Sequence, residues 1–123
     1  MKIDPRSQPQ RASGIHPRRL ARQSLNLNAA LGTALREPWN VEEITHITIS
    51  ATKRTGTWTT AAATVRASID LENWTDIDVI GAAGNKRSMK VAGFAYVNIF
   101  VTVAEGGVST ADFVGFGYID YAP

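Results

Sequence analysis

At 123 residues, 44% hydrophobic and 20% charged, the chain has room for one globular domain and an appendage, and its composition is not that of a disordered chain. It contains no cysteine, which excludes disulfides, thiolate metal sites and a thiol nucleophile. The net charge of +2 hides an asymmetry: residues 1–36 carry seven bases against one acid, Asp4, a formal +6, while residues 37–123 carry six bases against ten acids, a formal −4.

Residues 1–24 hold Pro5, Pro9, Pro17 and Gly14 and almost no large apolar side chain. Each proline removes a backbone donor and biases its predecessor towards extended conformations. So little apolar surface does not offset the entropy of ordering, so the segment is expected to be extended and ordered only against a partner. No apolar stretch of about 7–15 residues follows its charges, so a secretory leader is not expected. No run approaches the roughly 20 apolar residues of a membrane span. The protein is therefore expected to be made in the cytoplasm and used there, or to leave it inside a larger particle. From Ser24 onwards, Leu25 and Leu27 suggest a short strand, whereas Leu27, Leu31 and Leu35 would equally suit two helical turns. Gly32 weighs against the helix. Residues 1–36 thus read as an extended basic arm, and 37–123 as a separate head.

The head opens at Pro38. Thr45, Ile47, Ile49 and Ala51 alternate with His46, Thr48 and Ser50 as in a strand, and Lys53–Gly56 reads as a turn. Ala61, Ala63, Val65, Ala67 and Ile69 share the next face, followed by a polar turn over 70–73 and a short strand through Ile77 and Val79. Gly81–Asn85 makes a loop and Met89 with Val91 a further short strand. Ala95, Val97, Ile99, Val101 and Val103 form the clearest apolar face, Gly106-Gly107 turns the chain, and Phe113–Tyr121 completes it. Gly115 and Gly117 open one face to a covering aromatic, with Trp58 or Trp74 as the expected occupant. Five or six strands without a long helical period predict an all-β fold, a small antiparallel β-sandwich or jelly-roll-like domain carrying the arm.

Chemistry is weakly represented. His16 and His46, the only histidines, sit on the arm and among threonines, and there is no G-x-S-x-G elbow. No catalytic residue, metal ligand set or cofactor is expected, and the chain is not expected to be an enzyme. Asp76 and Asp78 flank Ile77 in strand alternation and solvate a face in preference to binding calcium. The 81–86 stretch lacks the G-K-[ST] ending of a phosphate loop.

The arginines are the strongest signal. Arg6, Arg11, Arg18, Arg19, Arg22 and Arg36, with Leu25 and Leu27, are the expected partner-binding residues of the arm. Nucleic acid would attract such a charge, but residues 1–36 contain no Phe, Trp or Tyr on which bases could stack. The acidic surface of a protein lattice fits better, with guanidinium groups pairing carboxylates. Trp58 and Trp74 offer an alternative glycan-binding surface on the head.

The stretch from Val65 to Ile77, with Ser68, Asp70, Asn73 and Trp74, followed by Phe94–Ile99, resembles a recurring β-sandwich phrase: Ser-x-Asp-Gly-x-x-Trp, then Ala-x-Tyr-Val-Arg-Ile. It is similar to discoidin-like domains and to small β-sandwich virion proteins of tailed bacteriophages. Leu71 stands where glycine is usual, and Asn98 where arginine is common. Discoidin domains are longer, secreted and usually disulfide-linked, unlike this chain. The resemblance therefore implies a structural phage virion protein, assembled in the host bacterial cytoplasm. Its expected role is a capsid decoration (cement) protein: a homotrimer whose arm tethers the major capsid protein lattice, with no membrane involved. The rival expectations are a glycan-binding host-recognition module and an inward-facing virion protein touching DNA.

Overall fold

Period-2 alternation dominates the folded chain, and each alternating run becomes a strand. The computed structural model describes residues 18–81 and 86–120. Among them are eight strands: β1 Arg18–Asn26, β2 Trp39–Asn40, β3 His46–Gly56, β4 Ala62–Ser68, β5 Thr75–Ile80, β6 Lys86–Lys90, β7 Tyr96–Val103 and β8 Ser109–Tyr118. They form two four-stranded antiparallel sheets, ordered β1-β8-β3-β6 and β2-β7-β4-β5. The pairs β4–β5, β3–β6, β2–β7 and β1–β8 nest inside one another, as if a single long hairpin had been rolled up. That is a jelly roll, and the all-β sandwich expectation holds.

The inward residues are those the alternation marks. Ile47, Ile49 and Ala51 of β3, Ala63, Val65 and Ala67 of β4, and Val97, Ile99 and Val101 of β7 are all fully buried. Phe113 of β8 sits fully buried among them, with the Trp58 ring meeting it edge-on at 6.0 Å between centroids. Burying each such large side chain contributes roughly 1.5–3 kcal/mol, which is how a small domain of short strands holds together. The connections β1–β2, β3–β4 and β7–β8 gather at one end of the sandwich, and β2–β3, β4–β5 and β6–β7 at the other.

Several expectations change. The division at residue 36 is not a structural boundary, because residues 18–35 belong to the sandwich. β1 pairs with β8 from Arg18↔Gly117 to Asn26↔Thr110, and Leu20, Leu25, Leu27 and Leu35 lie in the core. The chain's own β8, not a foreign partner, orders this segment. Lys53–Gly56 is no turn but the end of β3, bulged between Lys53 and Thr55 and paired with 109–111 of β8. Ile69 turns outwards and is exposed. The glycines of β8 are covered by aliphatic side chains and not by tryptophan. A Cβ on Gly115 would lie 3.0 Å from Leu20 Cδ1, and one on Gly117 would overlap Ile44 Cδ1.

Candidate functional site

β1 is an edge strand, and a β-bulge shapes it. Leu20 pairs with Gly115 and Gln23 with Phe113, so one extra residue is inserted between them. The insertion lets Leu20 and Leu25, an odd five residues apart, both face the core. It also frees backbone groups that β2 uses. The Ala21 carbonyl accepts the Trp39 indole N–H at 2.9 Å. The Gln23 amide imitates a strand: its Nε2 donates to the Glu37 carbonyl at 2.8 Å and its Oε1 accepts the Glu37 N–H at 3.1 Å. These bonds close the side of the sandwich between its two sheets. On the opposite side a bidentate pair, Arg87 with Asp78 at 2.8 and 3.1 Å, ties β6 to β5 in the same way.

Beside the bulge lies an open groove of about 540 Å³, lined by Ala21, Arg22, Gln23, Ser24, Arg36 and Glu37. Each expected arm residue now has a place, except Arg6 and Arg11, which lie outside the described residues. Arg18 is exposed and donates to the backbone carbonyls of Asn40 at 3.2 Å and Glu42 at 3.4 Å. Arg19 lies over the exposed Phe116 ring, 5.8 Å from its centroid. Arg22 is 3.9 Å from the Asp112 carboxylate, still largely exposed. Arg36 is exposed on the groove wall, without an ion-pair partner among the described residues. Leu25 and Leu27 are buried in the chain's own core, so they are not partner contacts; β1 turns its leucines inwards and, Ala21 apart, presents polar side chains outwards.

Sequence reasoning missed the residues that organise these arginines. Asp112 accepts from Ser24 Oγ at 2.6 Å and lies 3.8 Å from Arg54, which also donates to Ser24 at 3.0 Å. Ser24 and Asp112 are cross-strand partners 88 residues apart, so no local spacing announces them. The result is a basic edge anchored at one carboxylate, with Arg19, Arg22, Arg36 and Arg54 fanned around β1. Such exposed pairs contribute little stability and stay available to an anionic partner.

The two tryptophans of the glycan alternative do not share a surface. Trp58 is buried, its indole N–H bound to the Ala61 carbonyl at 2.9 Å, and no ring face is left for a sugar. Trp74 is half-buried on the outer face of the other sheet, edge-on to Phe100 at 5.2 Å. Arg66 covers Phe100 at 4.9 Å and pairs with Asp76 at 2.7 Å.

Two further carboxylates, Glu105 and Asp70, serve the fold. Glu105 is buried, and its Oε1 accepts the backbone N–H groups of Thr59, Thr60 and Ala61, each at 3.0 Å. Its Oε2 accepts the Thr59 hydroxyl at 2.9 Å. Led by the Ala61 and Thr60 N–H groups, these donors hold the carboxyl down at about 2. Asp70 is held below the usual carboxylate range by the N–H groups of Asn73 and Glu72. Among the described residues, no cluster of three His, Asp or Glu side chains could hold a metal ion.

No protein-family model matches the chain. No curated protein matches it in sequence. Among solved structures, the fold is similar to the SPBc2 prophage-derived protein YomS, at 14% identity and TM-score 0.51, over 81% of this chain and 95% of that one. It is similar to a protein of Bacillus endospore appendages, described as a novel family of disulfide-linked pili, at 18% identity and TM-score 0.52, over 99% and 100% of the two chains. A third likeness is to FLHE, at 10% identity and TM-score 0.51, over 85% and 98%. At these identities the likeness is one of fold.

Proposed function

We propose that the chain is a non-enzymatic structural protein of a phage-related particle, and within it a decoration protein that ties neighbouring subunits of the capsid lattice together. The observation that carries this reading is the join between arm and head. The basic segment 1–17, with Lys2, Arg6 and Arg11, leads directly into an edge strand flanked by Arg18, Arg19, Arg22 and Arg36. A pull on the segment passes into the β1–β8 ladder and so into the whole sandwich, which is what a tether requires. The fold lends support: YomS is prophage-derived and the endospore appendages are pili. Those pili are disulfide-linked; this chain has no cysteine, so disulfides play no part in its contacts.

In this reading the chain works as a homo-oligomer, a trimer, on the virion assembled in the bacterial cytoplasm. Several weak contacts on one rigid lattice add to high avidity without any single strong site. The arginines pair with lattice carboxylates, so attachment weakens as salt rises. The test is fractionation of particles from producing cells. The chain should co-sediment with virions, and particles lacking it should lose their genome at a lower temperature. Recovery of the chain only in the soluble fraction would refute the proposal.

A further inference from the structure

The charge asymmetry of the sequence becomes, in the fold, an asymmetry between the two sheets. The strands of the β1-β8-β3-β6 sheet contain eight Lys and Arg and one acid, Asp112, a formal +7. Those of the β2-β7-β4-β5 sheet contain one Arg and two acids, a formal −1. Some bases of the first sheet are engaged within the chain: Arg87 by Asp78, Arg18 and Lys53 by backbone carbonyls. Arg19, Arg22, Arg54 and Lys90 remain exposed. Asp112 is the one carboxylate among them, and Ser24 already donates to it at 2.6 Å. Glu42, Glu43 and Asp120 lie beyond the strand ends.

Aromatic rings stand on the same face. Along β8 the buried residues are Ala111, Phe113, Gly115 and Gly117, so Phe116 and Tyr118 project outwards, about 7 Å apart. Phe116 is 44% exposed, the one large hydrophobic side chain so exposed among the described residues of these four strands. The register sets Arg19 on one side of it and Thr48 on the other, and the Arg19 guanidinium lies 5.8 Å from the ring centroid. Tyr118 stacks on His46, with 5.5 Å between centroids and 19° between planes, and Lys90 is the cross-strand partner of His46 on β6.

We propose that this outer face binds a single strand of nucleic acid, with bases stacked on Phe116 and Tyr118 and phosphates met by Arg19, Lys90 and the arginines around Asp112. Residues 1–36 contain no Phe, Trp or Tyr, which told against nucleic acid; the β1–β8 register supplies the rings from the far end of the chain. An unpaired base offers a ring its π-face, whereas a duplex keeps its bases stacked on one another. A flat sheet face also has no helix or ribbon to enter a groove. A lipid surface would need a broader apolar patch than one ring beside the Thr48 and Ser88 hydroxyls, which bond each other at 2.8 Å. An acidic protein would engage the cations and leave the rings unused. Stacking and phosphate contacts read neither base nor sugar, so DNA and RNA strands both fit. The proposal does not rest on the particle reading, which is carried by the segment 1–17 and its junction with β1.

Fluorescence anisotropy on the full chain tests this, with labelled oligothymidylate and oligouridylate of about 20 nucleotides and a DNA duplex of the same length. Both single strands should bind, and more tightly than the duplex. Log affinity should fall with log salt at a slope of roughly −2, as when about three phosphates are neutralised. Phe116→Ala should weaken binding by roughly 5- to 100-fold, with the salt slope and melting unchanged. Lys90→Gln should instead make the slope shallower by about 0.7. The segment 1–17 contains no Phe, Trp or Tyr, so binding through it alone is indifferent to Phe116. Unchanged affinity in Phe116→Ala, equal binding of the duplex, or binding to phosphatidylserine vesicles but to neither single strand would each overturn the proposal.

Discussion

Gly117 and Glu105 show how single positions hold the two ends of the sandwich. Gly117 leaves β8 bare so that Ile44 can lie on its backbone, and any side chain there collides with Ile44. Gly117→Ala should therefore destabilise by about 1–3 kcal/mol, measured by urea unfolding, through overpacking. Gly115→Ala should cost less, because its Cβ would stay 3.0 Å from Leu20 Cδ1 and not overlap it. Glu105 acts through charge. Its folded-state pKa of about 2 lies below the ordinary 4.5, so its contribution is fully present above about 4.5 and is lost as pH falls towards 2. Glu105→Gln should melt at a lower temperature than wild type at pH 7, with the gap closing between pH 4.5 and 2. A constant gap across that window would show that the carboxylate's charge is not what holds the β3–β4 connection.

At the scale of elements, β1 is where sequence and structure part company. The inward faces of β4, β7 and the first half of β3 were legible because the apolar residues there recur at every second position and are buried. β1 was not, because its bulge throws Leu20 and Leu25 out of phase and prolines precede it. The bulge in β3 likewise disguised a strand as a turn. Composition alone revealed the arginines of the candidate site, but their anchor, Asp112, becomes a neighbour only through the β1–β8 register. Truncations separate the two halves of the former arm. Deleting residues 1–17 spares every described strand and should leave melting close to wild type. Deleting residues 1–26 removes Leu20 and Leu25 from the core, each worth about 2–5 kcal/mol, and should leave no cooperative unfolding transition. If the longer deletion folds, β1 is an accessory to the sandwich and not part of it.

The whole molecule is a jelly roll closed along both sides, by the Gln23–Glu37 and Trp39–Ala21 bonds at one and Arg87–Asp78 at the other. Its distinctive surface is the basic edge along β1, to which the N-terminal segment leads directly. On the proposed reading, this edge meets a larger scaffold through several weak contacts. The most direct test is the occupancy of purified virions stripped of the protein and then incubated with either the full chain or the chain lacking residues 1–17. The account predicts that the full chain rebinds to saturation, that raised salt weakens this binding, and that the folded, truncated chain leaves the particles nearly bare. Equal occupancy by the two chains would contradict it.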